Sequence, residues 1–180
     1  MASPEPILEF YAQVARLKNL KRAGWRRCGV EPCESVAEHT FGVSALALAL
    51  TKSAGVNRDK CLALAVVHDL AEAIVGDITP NDGIDPAEKS RRESEAIARF
   101  AQTLGDESLV ALWKEFESAA TPEAKLVRDL DVIEMALQAR EYQRLGRLSA
   151  SDADEFVQSA RRRVTTEIGK RLIEAASGQT

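Results

Sequence analysis

The chain is poor in several residue types, and each shortage excludes something. Cysteine occurs three times, at Cys28, Cys33 and Cys61, with no CxxC spacing. An odd, scattered set of thiols argues against a disulfide framework and for reduced cysteines in a cytoplasmic protein. Aromatic residues make up only 5% of the chain, which weakens any function built on stacked bases. No basic excess exists: 24 Lys and Arg stand against 28 Asp and Glu, a net charge of −4. General binding to a nucleic acid polymer through its phosphates is therefore not expected. Apolar stretches such as Ala45 to Leu50 fall far short of the roughly 18 residues of a membrane span. Met1 to Pro6 lacks the basic and apolar pattern of an export signal, and neither repeats nor low-complexity tracts appear. Strict apolar alternation is absent too, which removes the usual strand signal.

What remains is helical. The 180 residues are 45% hydrophobic and 29% charged, the balance of one globular domain over 1–180. A chain of this length buries roughly 70% of its unfolded surface without needing cross-links. Ile7, Leu8, Tyr11, Val14 and Leu17 recur at helical spacing across Glu5 to Leu20. Lys21 to Cys33 breaks the period and reads as an ordered loop with Lys21, Arg22, Arg26 and Arg27. Ser35 and Glu38 form a capping box for the next helix, whose run Phe41 to Leu50 is apolar on nearly every side. Such a run predicts a helix in the middle of a bundle. Asn57 caps a helix from about Arg58 to Val75, stopped by Gly76. Asp85-Pro86-Ala87-Glu88 starts another, which Gly105 ends. Ser108 to Ala119, Thr121 to about Gly146, Ala150 to Val164 and Thr165 to Ala176 complete an all-α bundle.

Only two histidines occur, and both fall on the two most apolar helices. His68 follows Leu62 to Val67 directly and is followed by Asp69. Buried carboxylates are rare without a partner. Glu72 lies one helical turn beyond this doublet, and Asp77 just past Gly76. That much negative charge calls for a counter-charge, and a divalent cation is the economical one. Asp131 borders the apolar face of the long helix and can turn inward, whereas Asp129 reads as solvent-facing.

Together these residues form a pattern. His39, the His68-Asp69 doublet and Asp131 reproduce the H…HD…D signature. The chain resembles the HD-domain phosphohydrolases, and within them the 5′-deoxynucleotidase branch that includes the HD-domain-containing-2 proteins. RAGW from Arg22, ESVAEH from Glu34, LAVVHDLAEAIVGDITP from Leu64, EKSRRE from Glu88 and LDVIEMALQAREY from Leu130 carry the likeness, over roughly Pro6 to Leu145. After Trp25 the chain departs from the family pattern with Arg27-Cys28-Gly29-Val30.

The resemblance implies a helical HD domain with one divalent metal held by His39, His68, Asp69 and Asp131. Mixed imidazole and carboxylate ligands suit Mn²⁺, Co²⁺, Fe²⁺ or Zn²⁺. Glu72 is the candidate for handling the attacking water, or else for orienting a ligand. Asp77 is expected to assist in proton transfer or at the sugar. Arg22 matches the arginine that orients the phosphate. Trp25 matches the tryptophan beside the sugar, where its bulk excludes a 2′-hydroxyl. Asp77, Ile78, Thr79 and Pro80 match the substrate-lining turn. The implied reaction is hydrolysis of a deoxyribonucleoside 5′-monophosphate by a typically dimeric enzyme. Two alternatives are another HD phosphohydrolase chemistry, on triphosphates or cyclic nucleotides, and a metal-stabilised helical module without turnover.

Overall fold

A computed structural model of the chain describes residues 3–177. Among them the secondary structure is helical, with one isolated bridge between Lys21 and Ser35 and no strand. The helices are α1 (Glu5–Val14), α2 (Ala23–Arg27), α3 (Val36–Ala54), α4 (Arg58–Val67), α5 (Glu72–Val75), α6 (Pro86–Leu104), α7 (Ser108–Ser118), α8 (Pro122–Arg144), α9 (Ala150–Arg163) and α10 (Glu167–Ser177). Short 3₁₀ turns cover Ala15–Lys18 and Pro80–Asp82. All-α architecture is thus borne out, and no helix among the described residues is long and apolar enough to cross a membrane.

Local chemistry places most helix starts. Ser35 accepts from the Glu38 amide while Glu38 accepts from the Ser35 amide, the reciprocal box that opens α3. Asn57, Asp85 and Thr121 cap α4, α6 and α8 by the same kind of bond. Each such cap contributes about 1 kcal/mol.

The centre of the bundle is α8. It packs against α3, α4, α7, α9 and α10. Leu126 and Leu130 join the α3–α4–α7 core, while Ile133 and Ala136 join the core beneath α9 and α10. Farther along, Ala139 and Tyr142 close over Trp25 and Val30. Burial of each large apolar side chain of this set stabilises the fold by about 1.5–3 kcal/mol.

Five expectations need correction. The α3 run is not buried all round: Phe41 is 75% and Leu48 57% exposed. Val36, His39, Val43, Ala47 and Thr51 form the buried face of α3, which packs on α4, α8 and the Ala15–Lys18 turn, so the residues on its opposite side stay in solvent. Asp129 is not solvent-facing but 2% exposed. Its carboxylate accepts from the amides of Thr165 (2.9 Å) and Thr166 (2.7 Å), which ties the turn ahead of α10 to α8. The helix expected over Arg58 to Val75 stops at Val67, because the Leu70, Glu72 and Ala73 amides bond three residues back rather than four. Finally, the basic loop contains a helical turn, α2, and the first helix ends at Val14 in a 3₁₀ turn.

Candidate metal and hydrolytic centre

The break after α4 builds the site. A 3₁₀-like turn eclipses residues three apart, so Asp69 and Glu72 line up on one edge. Gly76 then adopts φ 83°, ψ 167°, a backbone region essentially reserved for glycine. It reverses the chain and turns Asp77 back toward α2, where Asp77 Oδ2 accepts from the Ala23 amide at 2.7 Å.

His39 enters from α3, His68 from the end of α4 and Asp131 from α8. Their inner atoms converge. His39 Nε2 stands 3.4 Å from His68 Nε2, 3.7 Å from Asp69 Oδ2 and 3.2 Å from Asp131 Oδ1. His68 Nε2 is 3.2 Å from Asp69 Oδ2. The outer ring nitrogens face acceptors: His68 Nδ1 faces the Ala65 carbonyl at 2.7 Å and His39 Nδ1 faces Glu134 Oε2 at 2.6 Å. Both outer nitrogens therefore hold the proton, and both Nε2 atoms aim at the same point. Two imidazole nitrogens and the Asp69 oxygen around one point, with Asp131 Oδ1 beside His39 Nε2, are the kind of donor set that a divalent cation takes. The ligand atoms of His39, His68 and Asp69 all lie within 4.8 Å of one another, a spacing that one ion can bridge. The site opens on its acidic side, since the side chains of Asp69 and Asp131 are 16% and 20% exposed while those of His39 and His68 are closed.

Electrostatics agree with that reading of the donors. Burial alone pushes His39 down, but bonds to Asp131 and Glu134 outweigh it and hold the imidazole up at about 10. A cation at Nε2 replaces that proton, so binding releases it. For Asp69, burial is outweighed by the facing His68, Arg22 and His39, which keep the carboxylate below its usual range. Glu72 goes the other way: burial first, then Asp69 and Asp77, push it well above the usual range. It is 5% exposed, and its Oε2 is a buried oxygen with no hydrogen-bond partner. An orphan of this kind marks a place where a further polar group belongs.

Arg22 sits across the open side. Its Nη1 lies 3.4 Å from Asp69 Oδ2, 3.5 Å from Asp77 Oδ1 and 3.9 Å from Glu72 Oε1. The acidic residues thus share one guanidinium. Ile78, Thr79 and Pro80 continue from Asp77, and Arg27 holds this turn through Thr79 and, at 2.5 Å, Asp82. Trp25 does not fit the expected sugar contact in this conformation. It is 1% exposed, wedged between Tyr142 and Phe156, and its Nε1 donates to Glu34 Oε1 at 2.7 Å.

Two residues here escaped the reading of the sequence. Glu134, three residues after Asp131, meets the far side of His39. Glu34 is 8% exposed and accepts from Trp25, and burial first and Glu134 second push its carboxyl up to about 7. Their one signal in the sequence is a carboxylate set among apolar residues of the two motif stretches.

The fold and the converging site define an HD-type centre. The HD domain family model matches residues 14–172, and the chain belongs to that family. Among its relatives is 5′-deoxynucleotidase HDDC2 of Danio rerio, 43% identical over 142 residues that cover 77% of this chain and 70% of that one. The Homo sapiens HDDC2 is likewise 43% identical, covering 77% and 69% of the two chains. In Schizosaccharomyces pombe, 5′-deoxynucleotidase hdd1 is 43% identical over 145 residues, covering 77% and 73%. The likeness to the 5′-deoxynucleotidase branch is therefore borne out. Among solved structures, PH0347 from Pyrococcus horikoshii superposes with TM-score 0.77 at 31% identity over 94% of this chain and 96% of that one. The cyanophage S-2L HD phosphohydrolase DatZ, bound to dA and one catalytic Zn²⁺, shares the fold with TM-score 0.60 at 20% identity over 93% and 92%.

Proposed function

We propose that this chain is a metal-dependent 5′-deoxynucleotidase, hydrolysing a deoxyribonucleoside 5′-monophosphate to deoxynucleoside and phosphate. The observation that carries this reading is the convergence of His39 Nε2, His68 Nε2, Asp69 Oδ2 and Asp131 Oδ1 beside Arg22 and an unpartnered Glu72 oxygen. The relatives' activity agrees with it.

His39, His68, Asp69 and Asp131 would hold one divalent ion, Mn²⁺, Co²⁺, Fe²⁺ or Zn²⁺. When bound, such an ion supplies positive charge to a phosphate oxygen and acidifies water. Arg22 binds the phosphate, exchanging its shared carboxylates for a bidentate grip on two oxygens. Glu72 takes the proton of the attacking water through its free oxygen. The water oxygen bonds to phosphorus, the bond from phosphorus to the 5′-oxygen breaks, and that oxygen takes up a proton. Asp77 keeps Arg22 and the α2 backbone in register and is the candidate for delivering this proton or meeting the sugar. Ile78, Thr79 and Pro80 line the sugar side. Trp25 acts on sugar choice from behind, by fixing Glu34 and the α2 turn. Loose base specificity follows, because the proposed contacts go to phosphate and sugar. A homodimer in the cytoplasm completes the reading. Exposed Phe41, Leu48 and Val66 give it apolar surface, and light scattering tests it.

The test is product analysis by chromatography on dAMP, AMP, dATP and a cyclic nucleotide, each with added Mn²⁺ or Co²⁺ and each with chelator. Metal-dependent release of phosphate from dAMP well above AMP, with dATP inert, is expected. Turnover of dATP or the cyclic substrate instead would keep the centre and replace the reaction.

A further inference from the structure

His39 is gripped at both nitrogens by one helix. Asp131 and Glu134 are three residues apart on α8 and so share a side of it. Asp131 Oδ1 meets Nε2 at 3.2 Å, and Glu134 Oε2 meets Nδ1 at 2.6 Å. The glutamate makes this bond while 7% exposed, where α8 meets α3, at the edge of a surface groove that Gly42 also lines.

That contact needs a gap in α3, and the sequence contains one. Gly42 lies one turn beyond His39 and faces the same way. A Cβ built there would lie 2.5 Å from Glu134 Oε1, 2.9 Å from its Cγ and 3.0 Å from its Cδ. A side chain at position 42 fits only if Glu134 moves from the place in which it holds His39. Gly42 is not among the glycines with positive φ, so backbone freedom is not what the position demands. Glycine is otherwise a poor choice inside a helix, where alanine is favoured. Space for Glu134 is the reason that remains. Glu34 stands beside the pair, with a carboxylate oxygen within 4.8 Å of His39 and Glu134, and Trp25 Nε1 donates to its Oε1 at 2.7 Å.

We propose that Gly42 and Glu134 act as one positioning pair for His39, the glycine opening α3 so that the glutamate can set the imidazole's proton and direction. The proposal rests on the reading of His39 as a metal ligand. Glu134 touches neither metal nor substrate in it; the residue keeps Nδ1 protonated and the ring turned so that Nε2 faces His68, Asp69 and Asp131. Partners of this kind typically govern metal affinity 10- to 100-fold.

The experiment is calorimetric titration of Mn²⁺ or Co²⁺ into full-length wild type, Glu134→Gln, Glu134→Ala, Gly42→Ala and the Gly42→Ala/Glu134→Ala double variant. Thermal melting in chelator checks folding. Glu134→Ala should weaken binding about 10- to 100-fold, and Glu134→Gln less, because its amide oxygen still accepts from Nδ1. Gly42→Ala should weaken binding comparably. In the Glu134→Ala background the same methyl meets no carboxylate and should cost nothing further, a non-additivity that a general helix defect cannot produce. Equal losses from Gly42→Ala in both backgrounds, or wild-type affinity in both single alanine variants, would overturn the pairing. If Gly42→Ala fails to melt cooperatively while the double variant melts like wild type, the collision with Glu134 is supported from the folding side. If neither folds, undiminished affinity in Glu134→Gln and Glu134→Ala overturns the pairing and weakened affinity upholds the glutamate's part. A wild type that binds no metal would instead reject the metal reading itself, and this inference with it.

Discussion

Glu72→Gln separates activity from stability at one atom. Glu72 is buried, its Oε2 has no partner, and Asp69 and Asp77 stand close enough to push its carboxyl well above the usual range. An amide of the same shape removes the disfavoured charge while keeping the packing. The variant should therefore be at least as stable as the parent, as expected where a site holds a charge at the expense of the fold. Turnover should move the opposite way. Loss of a positioned proton acceptor lowers rate about 10²- to 10⁴-fold, or about 3–5 kcal/mol of barrier. None of the four proposed ligand atoms belongs to Glu72, so metal content should stay at that of wild type. The assay is phosphate release from dAMP, with metal stoichiometry and urea unfolding on the same preparation. Turnover within about threefold of wild type at full metal occupancy would refute the role given to Glu72. Loss of metal in step with activity would make it a ligand-orienting residue instead.

Other perturbations follow from the same geometry. Asp129→Ala removes the acceptor for the Thr165 and Thr166 amides and should destabilise the chain by about 2–3 kcal/mol in urea unfolding, whereas a change under ~0.5 kcal/mol would mean water replaces it. Glu34 has a folded value of about 7, raised by burial first and Glu134 second from the ordinary 4.5. A raised value favours the folded state below pH 4.5, and that contribution is lost as pH rises through about 7. In chelator, Glu34→Gln should then be more stable than wild type at pH 8, by up to ~3 kcal/mol, with the difference closing toward pH 5; a constant offset would contradict the shift. Trp25→Phe strips the donor from Glu34 Oε1 and should lower stability by about 1–3 kcal/mol. Measuring dAMP against AMP on the same variant tests the indirect sugar role, which an unchanged ratio would remove.

The starts of helices are written in short-range chemistry, which is why Ser35 with Glu38, Asp85 with Pro86, and Thr121 with Pro122 are legible without a structure. The proposed ligands are legible because their residue types are expensive in apolar helices and their spacing is distinctive. The break at His68 is not legible, since LAEAIV is as good a helix sequence as what precedes it. Tertiary packing of Leu70, Ala71 and Ala73 into the α6–α7 core decides that turn. Asp129 and Asp131 look alike in the sequence, but only their partners, a turn 36 residues downstream and a histidine 92 residues upstream, tell cap from site. Glu134 hides for the same reason: its partner His39 is 95 residues away, on another helix.

The most direct test of the central claim is to strip the protein with chelator and return Mn²⁺ or Co²⁺ in fractions of an equivalent, following phosphate release from dAMP. Turnover should be absent at the start, rise with added ion and level off at one per chain, and His68→Ala and Asp69→Ala should stay silent throughout. Turnover that survives chelation, or that both variants retain, would contradict a metal-dependent centre built on these residues.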